Sequence, residues 1–131
     1  MSALGGSVAR IVVLDDSKLM RRLLTQYLEA AGHEVIQWEP MSALEVPGQV
    51  ANLDPDLLIT DYQMPGANGA TVAKMALKAK PDLPVLVLTA LRDPETLEQL
   101  RRVQVKNIVH KPISQEALLQ AVNEALAGEG S

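Results

Sequence analysis

The stretch Ile11-Val12-Val13-Leu14-Asp15-Asp16-Ser17 decides the fold. Four consecutive apolar residues run directly into two acids. A continuous apolar run of this length, rather than an alternating one, suits a strand buried on both faces. Further short runs, most of them rich in β-branched residues or leucine, recur outward along the chain at 34–38, 57–60, 85–88 and 107–109, bounded mostly by turn residues.

The segments between these runs read as helices. Residues 18–31 set Leu19, Leu23 and Tyr27 beside Met20, Leu24 and Leu28, a wide apolar stripe that Gly32 is placed to end. Residues 70–80 turn Val72, Met75 and Ala76 inward. Residues 94–103 follow Asp93-Pro94, an N-cap with proline at the first helical position. Residues 115–127 carry Leu118, Leu119, Val122 and Leu126 between a Ser114 cap and a Gly128 stop. The segment 41–52 is interrupted by Pro47-Gly48, so its helix is expected to be short, broken or displaced. Strand and helix alternate five times, (βα)5. With right-handed crossovers this gives an α/β, doubly wound, five-stranded parallel sheet. One domain is expected over 8–127, with loose termini at 1–7 and 128–131.

Composition narrows the function. The chain has 131 residues, 47% apolar but only 2% aromatic and without phenylalanine, so its core is aliphatic. Sixteen acidic and twelve basic side chains leave a formal charge of −4, a poor footprint for direct nucleic-acid binding. The absence of cysteine excludes disulfides and thiolate metal sites. No window approaches the roughly 20 apolar residues of a membrane helix, and no signal-peptide core opens the chain. The expected location is the cytoplasm.

What ends each strand carries the chemistry. The first runs into Asp15-Asp16, the third ends at Asp61, the fourth at Thr89, and the fifth leads to His110-Lys111-Pro112. In an open parallel sheet these ends share one edge, where ligands bind. Three carboxylates a few Å apart repel by on the order of 4 kcal/mol per pair at an effective dielectric near 20. Lys111 supplies one compensating charge, and a hard divalent cation held by carboxylates, a carbonyl and water would supply two. With only His33 and His110 as nitrogen ligands, zinc fits poorly. Carboxylates, Mg²⁺, a lysine and a hydroxyl together suit phosphoryl transfer, in which one carboxylate can be the nucleophile. Spacing alone does not choose which. Asp61 is the single acid on the central strand, and the turn Met64-Pro65-Gly66 after it lets backbone N–H groups approach a phosphate.

These motifs resemble the response-regulator receiver family. The carrying segments are 11–17, Pro55-Asp56-Leu57-Leu58-Ile59-Thr60-Asp61-Tyr62-Gln63-Met64-Pro65-Gly66 with Gly69, Pro84-Val85-Leu86-Val87-Leu88-Thr89-Ala90, and Lys111-Pro112. The resemblance implies a flavodoxin-like strand order 2-1-3-4-5 and a regulatory switch rather than an enzyme in the usual sense. It implies Asp61 as phosphoacceptor, and Mg²⁺ held by Asp16 directly, by Asp15 through water, by Asp61 and by the Gln63 backbone carbonyl. Lys111 would pair with the phosphoryl group, Thr89 would move to hydrogen-bond it, and the 111–112 peptide would be cis. Donors would be a histidine kinase, a phosphotransfer protein or a small acyl phosphate. The output would be a protein target at the face of the fourth helix and fifth strand, or a phosphorylation-dependent dimer.

The sequence departs from the family at Ile108, where Tyr or Phe is frequent. Isoleucine cannot make the inward aromatic swing that follows the threonine. Output is then expected from the loop after Thr89, the fourth helix or dimerisation. Gln63 and Leu91, two residues after Asp61 and Thr89, sit where the family tunes dephosphorylation. The rival reading is a phosphorylation-independent interaction module of the same fold, which Ile108 favours and the intact Asp15, Asp16, Asp61, Thr89 and Lys111 set opposes. A small aspartyl-phosphate hydrolase or a flavin domain is less well supported, since no glycine-rich phosphate loop follows the first strand. His33 is expected to face solvent, His110 to be partly exposed and structural, and Trp38 to pack at a strand end. Arg92, Arg101, Arg102 and Lys106 are expected to form a solvated face or, as the alternative, part of a partner surface near the fourth helix.

Overall fold

The computed structural model describes residues 8–39 and 42–128. Of the loose ends expected at 1–7 and 128–131, residues 1–7 and 129–131 lie outside the described residues, as does position 41 of the weakest helix segment. The elements alternate as β1 (Arg10–Leu14), α1 (Lys18–Ala30), β2 (Glu34–Trp38), α2 (Val46–Leu53), β3 (Leu57–Asp61), α3 (Gly69–Ala79), β4 (Val85–Thr89), α4 (Pro94–Arg102), β5 (Asn107–His110) and α5 (Gln115–Leu126). All pairings within the five-stranded sheet are parallel, and the spatial order is β2-β1-β3-β4-β5. This is the expected doubly wound sheet in the order 2-1-3-4-5.

The apolar runs explain why the sheet is covered on both sides. Successive strand residues point to opposite faces. Ile11, Val13, Leu57, Ile59, Leu86 and Leu88 pack with Leu24 and Leu28 of α1 and with Leu118 and Val122 of α5. Val12, Leu14, Leu58, Val85 and Val87 pack on the other side with Val50 of α2, Val72 and Ala76 of α3 and Leu100 of α4. Strands β3 and β4 are buried at every residue, which is why they carry no alternation to read. Among the described residues no helix is long and apolar enough to cross a membrane.

Two expectations need correction, and a third is met. The α1 stripe is narrower than its sequence suggests: Leu24 and Leu28 are fully buried, while Leu19 is 77% exposed. Only the face turned to the sheet finds a partner, and Leu19 lies beyond it. His33 does not face solvent. It is 7% exposed, and its Nδ1 accepts the Ala9 N–H at 3.1 Å, one residue before the β1–β2 register begins at Arg10 and Glu34. The imidazole thus takes a donor that the sheet ladder has not yet paired. Burial lowers the His33 pKa below its ordinary 6.5. The second helix is displaced. Ser42 caps a short 3-10 turn, Ala43–Glu45, and α2 follows with Pro47 in its first turn, where a missing N–H costs no helix bond.

Candidate functional site

Four chain departures from the sheet build the candidate site at its C-terminal edge. β1 ends at Leu14, and the chain leaves the ladder with Asp15. Asp15 is 2% exposed, whereas its neighbour Asp16 is exposed. Asp61 closes β3 at 7% exposure, and Thr89 closes β4 at 1%. Lys111 follows β5, and the 111–112 peptide is cis. Carboxylate oxygens of Asp15, Asp16 and Asp61 all lie within 4.8 Å of one another. The Lys111 ammonium reaches Asp61 Oδ1 at 2.7 Å.

Local bonds fix these groups. Ser17, the N-cap of α1, donates its N–H to Asp15 Oδ1 at 2.8 Å, and its own hydroxyl accepts the Met20 N–H. Asp15 Oδ2 is buried with no hydrogen-bond partner among the described residues. The Asp15 carboxyl is accordingly pushed up to about 6, chiefly by burial. The Ser17 N–H opposes that rise, the Asp61 charge adds to it, Lys111 opposes it, and Asp16 adds a last contribution. The Thr89 hydroxyl accepts the Leu91 N–H at 2.9 Å, and the Thr89 carbonyl accepts the Lys111 N–H at 2.9 Å.

The loop after Asp61 is held equally closely. Tyr62 N–H donates to the Leu88 carbonyl at 2.8 Å, and the Tyr62 carbonyl accepts the Gly69 N–H at 2.7 Å. Gln63 and Met64 pair antiparallel with Asn68 and Ala67 across a turn in which Gly66 takes φ +80°. A side chain there would be strained, so glycine is required by conformation. The Tyr62 hydroxyl donates to Gln99 Oε1 on α4. Ile108 lies opposite Val87 in the ladder and packs, half-buried, against the core beneath α3 and α4.

A buried carboxylate oxygen without a donor, beside two further carboxylates, is the environment a hard cation satisfies. The donor set is all oxygen and suits Mg²⁺ rather than zinc. Asp15, Asp16, Asp61, Thr89 and Lys111 therefore meet at one edge, and Gln63 and Leu91 lie in the two loops that border it. His110 is partly exposed, with its Nε2 buried and unpartnered among the described residues. Arg101 and Arg102 are exposed and both pair with Glu98 on their own helix, so one carboxylate offsets one of their two charges.

One residue was not read from the sequence. Arg21 sits one turn into α1, its side chain only 11% exposed, and its guanidinium donates to the Asp15 carbonyl. The available signal is its position, since long helical side chains lean back toward the helix N-terminus and so toward the acids six residues earlier.

Comparison with known proteins agrees with this geometry. The family described as Response regulator receiver domain matches residues 11–123. The chain is 32% identical over 124 residues to Protein PilH of Pseudomonas aeruginosa, covering 92% of this chain and 100% of that protein. It is 26% identical over 115 residues to the Chemotaxis protein CheY of Thermotoga maritima, covering 88% of this chain and 95% of that protein. The solved structure of Vibrio cholerae chemotaxis protein CheY4 matches with a TM-score of 0.82 at 25% identity, over 91% of this chain and 99% of that one.

Proposed function

Because the chain belongs to the response regulator receiver domain family, we propose that Asp61 accepts a phosphoryl group in a Mg²⁺-dependent transfer from a histidine kinase or phosphotransfer protein. The observation that carries this is the convergence of three carboxylates with the Lys111 ammonium 2.7 Å from Asp61. The receiver spans 8–127 in this reading, and its work is signalling in the cytoplasm rather than conventional catalysis.

The roles follow from charge. Three carboxylates and one ammonium leave a net of two negative charges at the edge, which disfavours the approach of a phosphoryl group. Asp15, Asp16, Asp61 and the Gln63 carbonyl would hold Mg²⁺, which when bound supplies the missing positive charge for phosphoryl oxygens. An Asp61 oxygen forms the new bond to phosphorus as the donor's nitrogen leaves. Lys111, already at Asp61, is placed to follow the incoming oxygens. Thr89 carries a hydroxyl proton that its bond with Leu91 leaves free to donate. The aspartyl phosphate is up to one charge more negative than the aspartate it replaces, which biases the loops that border it. The output is read at the segment after Thr89 and the α4–β5 face, by a target protein or a second copy of the chain.

The test is phosphorylation by a small acyl phosphate with Mg²⁺, followed by intact mass. Wild type should gain one phosphoryl group and Asp61→Ala none. A phosphorylated Asp61→Ala protein would remove the assignment. A second reading, a receiver-fold interaction module that works without phosphorylation, is favoured by Ile108, whose branched side chain already packs in the core. Beryllofluoride with Mg²⁺ separates the two. A phosphorylatable receiver binds both and shifts its NMR spectrum, and a phosphorylation-independent module does not.

A further inference from the structure

Arg21 is buried further than a helix-surface arginine needs to be, and its charge must be met by an acceptor because a guanidinium does not shed its proton. Glu39 does not meet it. The nearest approach is 3.7 Å, beyond hydrogen-bond reach, and the glutamate side chain is 62% exposed. The acceptor is the Asp15 backbone carbonyl. That carbonyl needs a partner of its own, because the β1 register with β2 and β3 ends at Leu14.

The bond closes a ring. Asp15 Oδ1 accepts the Ser17 N–H, the Ser17 carbonyl accepts the Arg21 N–H at 2.9 Å, and the Arg21 side chain returns to the Asp15 carbonyl. The Arg21 carbonyl is itself bonded by the Thr25 hydroxyl at 2.6 Å, which anchors the ring to the second turn of α1. A peptide unit is planar, so fixing the oxygen of the 15–16 peptide also fixes the N–H side from which Asp16 departs. Asp16 is exposed, so its backbone direction does most to aim its carboxylate.

We propose that Arg21 is a positioning residue, which sets the direction in which Asp15 and Asp16 present their carboxylates to a divalent cation. This rests on the Mg²⁺ site proposed above. The alternative is that Arg21 acts through its charge, and the two make opposite predictions. A positive group near the site repels a cation, so its removal would tighten binding. A group that orients the ligands strengthens binding, so its removal weakens it.

The experiment is a Mg²⁺ titration of the whole chain, followed by amide NMR shifts of residues 13–17 and 59–63, with thermal melts in parallel. Arg21→Met should lose roughly 10–100-fold in Mg²⁺ affinity, the usual cost of removing a group that orients metal ligands. Arg21→Lys, with charge but no planar fork, should fall between Met and wild type, and Glu39→Gln should match wild type. Arg21→Met binding as tightly as wild type, or more tightly, overturns the proposal even if its melting temperature falls, since that is the pattern of a merely structural or repulsive residue. If Arg21→Met does not fold, Arg21→Lys decides, and wild-type affinity there overturns the proposal. A wild-type chain that takes up no Mg²⁺ overturns the metal site itself, and this inference with it.

Discussion

Two glycine-to-alanine substitutions should move stability in opposite directions, and the structure says why. At Gly69 an added Cβ would stand 2.9 Å from Tyr62 Cα, 3.2 Å from the Asp61 carbonyl oxygen and 3.3 Å from Val87 Cγ1. None of these can retreat easily. Tyr62 is tied to Leu88 and to Gly69 itself by bonds of 2.8 and 2.7 Å, and Val87 is fully buried. Forcing one methyl group into such a place costs about 1–3 kcal/mol. The helix gains somewhat less than about 1 kcal/mol from alanine, chiefly by restricting the unfolded chain. Gly69→Ala should therefore lose about 1–2 kcal/mol. At Gly48, exposed on α2, an added Cβ meets nothing within 4 Å, so only the gain of about 0.4–1 kcal/mol remains. The unfolded-state contribution is common to both, and the difference between the variants isolates the contact with the Asp61–Tyr62 backbone. Urea unfolding with matched slopes measures it. The same crowding shifts the acceptor loop by a few tenths of an ångström, so phosphoryl uptake by Gly69→Ala should slow roughly several-fold. A Gly69→Ala protein as stable as Gly48→Ala would refute the reasoning.

Three further outcomes follow from the site and its surroundings. Because burial lowers the His33 pKa, the unfolded chain binds a proton near 6.5 that the native imidazole resists, so this group's contribution to stability is lost as pH falls through that value. Asp15, raised to about 6, acts in the opposite sense over a similar range, so the measurement is the wild-type slope of unfolding free energy against pH minus that of His33→Gln, and a zero difference would sink it. Lys111→Met removes the ammonium 2.7 Å from Asp61, and Mg²⁺ affinity should rise roughly several-fold while acyl-phosphate uptake falls, as titration and intact mass would report. Leu91→Glu puts an acceptor for water where the half-buried leucine has none and should change the phosphoryl half-life, whereas equal hydrolysis in both proteins would dismiss the idea.

The sheet was legible because its central strands β3 and β4 are buried on both faces, so position in the fold translates directly into runs such as Leu57–Thr60 and Val85–Leu88. The site was legible for a topological reason: parallel strands bring Asp15, Asp61, Thr89 and Lys111 to one edge whatever their separation in sequence. What escaped depends on contacts that no local pattern encodes. His33 is buried because Ala9, 24 positions away, needs an acceptor. Leu19 belongs to an apolar stripe by spacing, but among the described residues no element covers it. Proline at 47 reads as a break, yet serves as a start once Ser42 and the 3-10 turn have set the approach. Asp15 and Asp16 are adjacent and chemically alike, but only the path of β1 out of the sheet decides which is buried.

That difference bears on how capture and output are joined. The buried acid and Lys111 give the edge its fixed electrostatic frame, and the parts around it that can yield are the loops. Ile108 is not one of them: a β-branched residue is stiff at χ1, and this one packs beside Val87 against the core. Two ties run from the site to α4. Thr89 accepts Leu91, three residues before α4 begins, and its carbonyl holds the backbone of Lys111, the residue that pairs with Asp61. Tyr62, next to Asp61, holds Gln99 in the second half of the same helix. In the proposed function, a charge change at Asp61 would therefore act on α4 at both its entry and its outer turns without an aromatic swing at 108. The tie through Thr89 is the more sensitive. Its hydroxyl oxygen already accepts one N–H, so a rotation toward a phosphorylated Asp61, as proposed, would stretch or break that bond and release the segment that leads to the Asp93 cap.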